Sequence, residues 1–420
     1  MKFAQLVKTY GPGILFAGAA VGVSHLVQST RAGAVYGFEL IWVVILANLS
    51  KYPFMEFAPR YSNATGNSLI EGYARIGKWA LVLYVLLTLA TMFAIQAAVT
   101  LVTAGLVANI FHLQVNHVLI TAIILFVTMV VLGIGHYGIL DKLSKIIVVM
   151  LAVSTFVAIV FAFRSDVFAI SAAKVDFNWT NRIDVLFLIA FIGWMPAPID
   201  VSVWQSLWSV AKEKQLGYRP SLKQALGDFN LGYIGAAVLA IGFLSLGAFI
   251  MYGSGEQLSP KGDVFAEQLI NMYTKSIGTW AYPLIAIAAL TTMFSTTLTC
   301  LDAYPRVLRM STILLVKSYV KLDKFETRLY WMWLLIVVFG SVSLIWYLSG
   351  TMRFMVDLAT TISFVTAPVL AVLNYIVISG KDVPAYARPK TWLRIYAWLG
   401  IIFLTAFSLF YIFYQVFNLS

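Results

Sequence analysis

The chain has 420 residues, of which 61% are hydrophobic and only 11% are charged. Since a soluble domain carries about 25% charged residues, this composition excludes a water-soluble fold and indicates an integral membrane protein. The net charge of +11 does not indicate a nucleic-acid partner, because most Lys and Arg fall in loops on one predicted side of the membrane, as the positive-inside rule requires. A single cysteine, Cys300, excludes an internal disulfide and a cysteine-based metal site.

Apolar runs of about 20 residues, the length that a helix needs to cross a bilayer, fill most of the chain. We predict an all-α membrane protein with eleven transmembrane helices at residues 11–31, 36–58, 79–108, 117–135, 143–163, 184–208, 229–252, 279–303, 329–349, 354–379 and 391–417. The charge bias places the N-terminus in the cytoplasm, and the odd number of spans then places the C-terminus outside. Short loops and the lack of a cleavable signal peptide favour the plasma membrane of a prokaryote. In a prokaryote with two membranes, this is the inner membrane.

The first predicted helix is interrupted near its middle. Its run from Gly18 to His25 contains two glycines and little side-chain bulk. Unpaired backbone groups are costly in hydrocarbon, so a break persists only where protein or a water-filled cavity satisfies them. His25 lies inside this break, and we therefore expect it to contact substrate or a proton rather than to be an ordinary core histidine.

Helices 2 and 3 carry polar residues at membrane depth. Lys51 and Glu56 flank Pro53 in helix 2, and we predict that they pair with each other or reach toward the inner membrane face. Gln96 in helix 3 is a candidate for the polar lining of a transport path.

The sixth helix contains the second break, where Pro196 and Pro198 stand near the middle of the span. Proline removes a backbone donor and clashes with the preceding turn. Asp200 lies one turn further on, and an intramembrane carboxylate is by default a candidate functional residue. We predict that Asp200 carries a proton or neutralises a cationic group, and that Trp194 offers a cation–π face to an amine.

Helices 8 and 10 are rich in hydroxyl side chains. These hydroxyls either form hydrogen bonds within and between packed helices or line a polar transport path. They are Ser295, Thr296, Thr297 and Thr299 in helix 8, and Thr360, Thr361, Ser363 and Thr366 in helix 10. The spacing i,i+4 predicts one ion pair in each helix. These pairs are Asp302 with Arg306, and Arg353 with Asp357.

Helices 1–5 (about 11–163) and 6–10 (about 184–379) form two halves, each starting with a broken helix, and an extra helix follows at about 391–417. Because five is odd, the halves face opposite ways. This is the inverted repeat of the amino acid–polyamine–organocation superfamily, called the LeuT-like fold, whose substrates bind at the midplane and cross by alternating access. We therefore treat residues 1–420 as one transmembrane transporter domain.

Two short motifs resemble those of the NRAMP metal transporters, whose first helix reads GPG, DPGN and AGAxYG in order. Residues 11–13 read GPG and residues 32–37 read AGAVYG, with matching spacing. Met195-Pro196 resembles the family's MPH motif in helix 6, and the hydroxyl run 295–299 resembles its polar helix 8. The resemblance implies the fold and a transport function.

The same resemblance exposes departures at the family's metal ligands. Gly22, Val23, Ser24 and His25 match the DPGN positions, so the ligating Asp and Asn are absent. Met195 occupies the position of the family's methionine ligand, whereas Ala197 occupies the position of the MPH histidine, which is therefore absent. The remaining departures are Ser202, which matches a further family histidine, and Met92 and Ile95, which match an acidic pair linked to proton movement.

We therefore expect a secondary transporter, not an enzyme, for a small organic solute or an unusual cation. It has no cofactor and no nucleotide-binding motif, so a gradient of the substrate, protons or sodium drives transport. The expected substrate contacts are Gly22, Ser24, His25, Gln96, Trp194, Met195, Ala197, Ser295 and Thr296, with Asp200 and His25 for coupling. The first alternative is a divalent-metal transporter (Mn, Fe or Mg), proton-coupled as in the family, in which Met195 and His25 bind the metal. The second is a membrane sensor that transports nothing.

Overall fold

The structure is a computed structural model, and it describes residues 11–135, 137–164, 176–316, 323–348 and 351–417. The regular elements of these residues are helical throughout. The first half contains α1 (Pro12–Ala20), a π-helical segment (Ser24–Ser29), α2 (Thr30–Tyr36), α3 (Ile41–Thr65), α4 (Leu69–Ile76), α5 (Lys78–Ile110), α6 (His117–Ile134) and α7 (Tyr137–Arg164). The second half contains α8 (Arg182–Trp194), α9 (Asp200–Leu216), α10 (Leu222–Ile250), α11 (Gly262–Ile277), α12 (Tyr282–Val316), α13 (Asp323–Leu348), α14 (Met352–Ile378) and α15 (Thr391–Phe417).

Every predicted span coincides with a helix or with two helices that flank a break. In the described residues, seven helices are long and apolar enough to cross a membrane, or eight if the bent pair Pro12–Ala20 and Ser24–Tyr36 counts as one span. The chain is thus a multi-pass helical membrane protein. The count of eleven and the inverted repeat stay predictions: α8 and α9 have 13 and 17 residues, and neither crosses a bilayer alone.

Two helices, α4 and α11, lie where the sequence predicts loops. A capping box begins α4, because the Ser68 backbone amide donates to the Glu71 carboxylate (2.6 Å). This pattern of Ser followed three positions later by Glu is a local signal for a helix N-terminus. A search for apolar runs of membrane length does not find α4, because it has only eight residues.

The start of α1 is held against α10 by a direct backbone contact. A Cβ on Gly13 would lie 1.9 Å from the Asp228 carbonyl oxygen, and one on Gly232 would lie 1.9 Å from the Gly13 carbonyl oxygen, so only glycine fits at either position. The Asp228 carboxylate accepts hydrogen bonds from the backbone amides of Gly11 (3.0 Å) and Gly13 (2.7 Å). Pro12 starts the helix, where its missing N–H costs nothing. The motif GPG is thus explained by packing.

The core brings both broken helices to the middle of the molecule. Both α1 and α2 pack along α10, α8 packs against α14, and α9 packs against α3. The long helix α5 packs against α12 and α14. Consequently each break is surrounded by protein, as backbone without helical hydrogen bonds requires at membrane depth.

Candidate functional site

The first break lies where the sequence predicts it. Helix α1 ends at Ala20, Val21 and Gly22 are not helical, and the chain resumes after a bend of 46°. A Cβ on Gly22 would lie 2.8 Å from Oγ1 of Thr296, so this break passes close to α12. The Ser24 hydroxyl lies 2.6 Å from the carbonyl oxygen of Ala20, the last residue of α1.

The second break separates α8 from α9. Residues 195–199 are not helical, and Met195 is fully buried. The Trp194 indole donates to the Ser363 hydroxyl (2.8 Å), which anchors the end of α8 to α14. The two breaks meet directly, because the Ser24 hydroxyl lies 3.2 Å from the Pro196 carbonyl oxygen.

A small cavity of about 30 Å³ lies between the breaks and α12. This volume is large enough for an ordered water molecule, which needs roughly 10–15 Å³, and is far below the ~300–1,000 Å³ of a typical small-molecule site. Four of the predicted substrate contacts line it, namely Ser24, Trp194, Ala197 and Thr296. Cys300 and Trp204, which the sequence did not suggest, line it as well. The indole N–H of Trp204 is buried without a hydrogen-bond partner, so the wall includes one unused donor.

The other predicted contacts lie outside this lining. His25 binds with both ring nitrogens, Nδ1 to the Ser24 hydroxyl (2.7 Å) and Nε2 to the Ala236 carbonyl oxygen (2.8 Å). Because a carbonyl only accepts, Nε2 carries a proton. The imidazole thus connects the first break to α10, and it would have to give up a hydrogen bond to bind a metal.

Further predicted contacts also have structural partners. The Gln96 amide donates to the Thr100 hydroxyl (3.1 Å) and to the Thr297 carbonyl (3.3 Å), and so joins α5 to α12. Met195 and Ser295 are absent from the cavity lining. Among the described residues, no three His, Cys, Asp or Glu side chains lie close enough together to hold a metal ion.

Asp200 begins α9 and is 95% buried, since only 5% of its surface is exposed. Its carboxylate accepts a hydrogen bond from the Thr91 hydroxyl of α5 (3.3 Å). It forms no ion pair with another described residue. The position at a helix N-terminus is favourable for a negative charge, and Asp200 is therefore a buried carboxylate held by one hydroxyl and by its own helix.

The prediction for Lys51 was wrong. Lys51 neither pairs with Glu56 nor reaches the membrane face, because it is fully buried and donates to the backbone carbonyls of Ile192 (2.7 Å), Gly193 (2.7 Å) and Ala197 (3.3 Å). Glu56 pairs instead with Arg60, one turn away on α3. A lysine in the middle of an apolar span is itself a signal of function, but its partners come from the distant second break.

One of the two predicted ion pairs is observed and the other is wrong. Asp302 pairs with Arg306 (2.6 Å), as the i,i+4 spacing predicts. Asp357 pairs with Arg31 of α2 (2.8 Å), rather than with Arg353, which donates to the Leu258 carbonyl. The guanidinium of Arg31 also lies 4.6 Å from the centre of the Phe187 ring of α8.

Comparison with known proteins identifies the family. The sequence profile described as "Natural resistance-associated macrophage protein-like" (Nramp) matches residues 13–414. The chain belongs to the Nramp family. It is 37% identical over 416 residues to an uncharacterized protein of Pasteurella multocida, covering 98% of this chain and 92% of that protein. It is also 32% identical, over only 68 residues or 16% of either protein, to the divalent metal cation transporter MntH of Verminephrobacter eiseniae.

Solved transporter structures share the fold of this chain. A mutant manganese transporter of Eremococcus coleocola superposes with a TM-score of 0.65 at 13% identity, covering 98% of this chain and 87% of that one. A transporter of the nucleobase-cation-symport-1 family, with bromovinylhydantoin bound, superposes with a TM-score of 0.56 at 14% identity, covering 95% and 91%. At such identities the likeness establishes the fold, and the chain is an Nramp-family membrane transporter by its family match.

Proposed function

We propose that this Nramp-family protein is a secondary-active transporter whose substrate passes between the two helix breaks by alternating access. The carrying observation is that both breaks meet around one cavity, with Ser24 and Pro196 in contact. Paired broken helices are the usual place of the substrate in such transporters. The cavity of about 30 Å³ is far smaller than an organic solute, so the site must widen to admit the substrate and close again to release it on the other side.

The lining of the cavity favours a small organic solute with a polar group. Its polar side chains are the hydroxyls of Ser24 and Thr296, the thiol of Cys300 and the indoles of Trp194 and Trp204. Hard divalent cations are bound by carboxylate and carbonyl oxygens, and no carboxylate or imidazole stands among these residues. The indole N–H of Trp204 has no partner and suits a hydrogen bond to an acceptor of a solute, and the hydroxyl oxygens can accept one. The solved transporter with bromovinylhydantoin supports this reading, because a related fold there holds an organic molecule.

A divalent metal ion is the second candidate, and the comparisons favour it over the organic solute. The similar solved structures include manganese transporters, and one short relative is a divalent metal cation transporter. For this function, Met195 and His25 would have to turn toward the cavity as metal ligands. His25 would then lose its hydrogen bond to Ser24 or to Ala236.

Asp200 is the candidate for proton coupling. It is a buried carboxylate with a single side-chain hydrogen bond, from Thr91, and it lies at the start of α9 directly after the second break. Protonation would remove its charge and change how α9 sits against α5. Sodium is the other candidate coupling ion.

We place the transporter in the plasma membrane, which in a prokaryote with two membranes is the inner one. Its N-terminus lies in the cytoplasm and its C-terminus outside.

The decisive experiment is Mn²⁺ uptake into proteoliposomes, with the Eremococcus coleocola manganese transporter as the positive control. We expect no uptake above that of empty liposomes. Saturable uptake that falls in both His25→Ala and Met195→Ala would establish metal transport and would overturn the organic solute. His117→Ala, which changes a half-exposed histidine near the start of α6, is the matched control and should be without effect.

A companion screen identifies the organic substrate. Thermal unfolding of the purified protein is measured with amino acids, carboxylic acids and amines, and each compound that raises the midpoint is tested as a radiolabelled uptake substrate. Stabilisation and uptake should both fall in Ser24→Ala, which loses the hydroxyl of the cavity wall. If no compound in the screen stabilises the protein while Mn²⁺ is taken up, the metal candidate is correct.

A further inference from the structure

Lys51 is the most unusual charged residue of the described structure. It lies in the middle of α3, its side chain is fully buried, and no carboxylate contacts it. Its three partners are all backbone carbonyls: Ile192 and Gly193 in the last turn of α8, and Ala197 in the segment after it. A lone ammonium thus lies against the broken end of a helix.

The number of hydrogen-bond acceptors around Lys51 matches the charged form of this side chain. A lysine ammonium has three donors and no acceptor, and the three carbonyl oxygens at 2.7, 2.7 and 3.3 Å take one each. An uncharged amine would have only two donors for these three acceptors. The carbonyls also belong to the C-terminal end of α8, where the helix dipole carries partial negative charge and favours a cation.

The broken helices of secondary transporters bind a cation at helix ends of this kind. Unwound carbonyls and the C-terminal ends of half-helices coordinate the coupling ion there. Here the end of α8 packs tightly on α14, since a Cβ on Gly193 would lie 2.2 Å from the Thr360 carbonyl oxygen. The three carbonyl groups that could bind such a cation are present, and Lys51 already occupies them.

We propose that Lys51 is a tethered cation, which fills the cation position formed by the carbonyls of Ile192, Gly193 and Ala197. The protein then needs no sodium or metal ion at the end of α8. Lys51 also sets specificity, because Trp194 and Ala197 line the substrate cavity next to these carbonyls and a fixed positive charge behind them repels a cationic substrate. This inference concerns the cation position and, because the charge of Lys51 repels a cation, it rests on the proposed organic solute rather than on the metal candidate.

The test replaces the tethered cation by a free one. Lys51→Ala removes the ammonium and leaves the carbonyls open, whereas Lys51→Met fills the same space without charge. Thermal unfolding midpoints are measured in detergent with Na⁺, K⁺ or methylammonium, and with choline at equal ionic strength as the reference. Lys223→Ala, which removes an exposed lysine of α10, controls for net charge.

We expect the wild-type midpoint to be the same in all salts. The midpoint of Lys51→Ala should be lower in choline and should rise saturably, by roughly 3 °C or more, with Na⁺, K⁺ or methylammonium, since binding to the folded state stabilises it. Lys51→Met should be lowered without recovery. A Lys51→Ala midpoint that ignores every cation would overturn the proposal.

A second measurement covers the case in which Lys51→Ala does not fold. Binding of radioactive sodium to the wild-type protein is measured by scintillation proximity, and we expect none that saturates. Saturable sodium binding to the wild-type protein that is lost in Lys51→Arg, whose larger side chain would block the same carbonyls, would show that the cation position is open in the native protein, and it would also overturn the proposal. Because neither measurement uses a transported substrate, failure here is distinct from failure of the proposed transport function.

Discussion

Nη1 of Arg31 lies 2.8 and 3.0 Å from the two carboxylate oxygens of Asp357, and so joins α2 to α14 across 326 positions of sequence. The Gln28 amide donates to the same carboxylate (3.1 Å). Helix α2 continues the first broken helix, and α14 packs on the first half of the second. This ion pair therefore joins two elements that the proposed alternating access would separate. The pair is thus a candidate gate on that side of the cavity.

Asp357→Asn should open this gate more often. We measure the rate at which a small methanethiosulfonate reagent modifies Cys300, the only cysteine of the chain, which lines the cavity and is 5% exposed. Loss of about 1 kcal/mol from the closed state corresponds to roughly fivefold faster modification. Cys300→Ser gives the background, and Asp382→Asn, which breaks the exposed pair with Arg75, should not alter the rate. An unchanged rate in Asp357→Asn would remove the pair as a gate.

Two glycines of α10 give a matched test of helix contact. Gly232→Ala places a Cβ 1.9 Å from the Gly13 carbonyl oxygen, whereas Gly235→Ala meets nothing within 4 Å. We expect Gly232→Ala to lose about 1–3 kcal/mol or more of stability, because the two backbones must move apart. Gly235→Ala should be neutral or slightly stabilising. The thermal unfolding midpoints of the two variants are measured in detergent. Equal midpoints would contradict the close packing of α1 on α10.

The contact between the first break and α12 is tested by a double-mutant cycle. A Cβ on Gly22 lies 2.8 Å from Oγ1 and 2.9 Å from Cγ2 of Thr296, so Gly22→Ala should destabilise the protein. Thr296→Ala removes both atoms and should recover most of the loss in the double mutant, with a coupling energy of about 0.5–3 kcal/mol. If the stability loss of the double mutant equals the sum of the losses of the two single mutants, the break does not contact α12.

Asp200→Asn tests proton coupling once a transported substrate is known. The amide cannot exchange a proton, so we expect uptake driven by a pH gradient to fall to the level without a gradient. Exchange of substrate across the membrane at equal pH should continue. Asp302→Asn changes another buried carboxylate, one that is paired with Arg306, and serves as the control. Uptake in Asp200→Asn that still follows the gradient would exclude Asp200 as the proton carrier.

Local interactions were predictable from the sequence, and distant ones were not. The ion pair of Asp302 with Arg306 follows from helix geometry, because residues four apart face the same side. The same rule failed for Asp357, whose carboxylate is taken by Arg31 from another helix. Lys51 failed likewise, because its carbonyl partners are exposed only where α8 breaks off and packs beside α3.

The sequence by itself determined the membrane setting, the helical fold, the family resemblance and the places of both breaks, because apolar runs, small residues and prolines act on the chain locally. Tertiary structure alone decided which side chains face the cavity. Ser24 and Thr296 line it, whereas His25 turns to Ala236 of α10. It also decided that Lys51 fills the end of α8. The direction of a side chain in a broken helix depends on the elements packed around it, and these come from distant parts of the sequence.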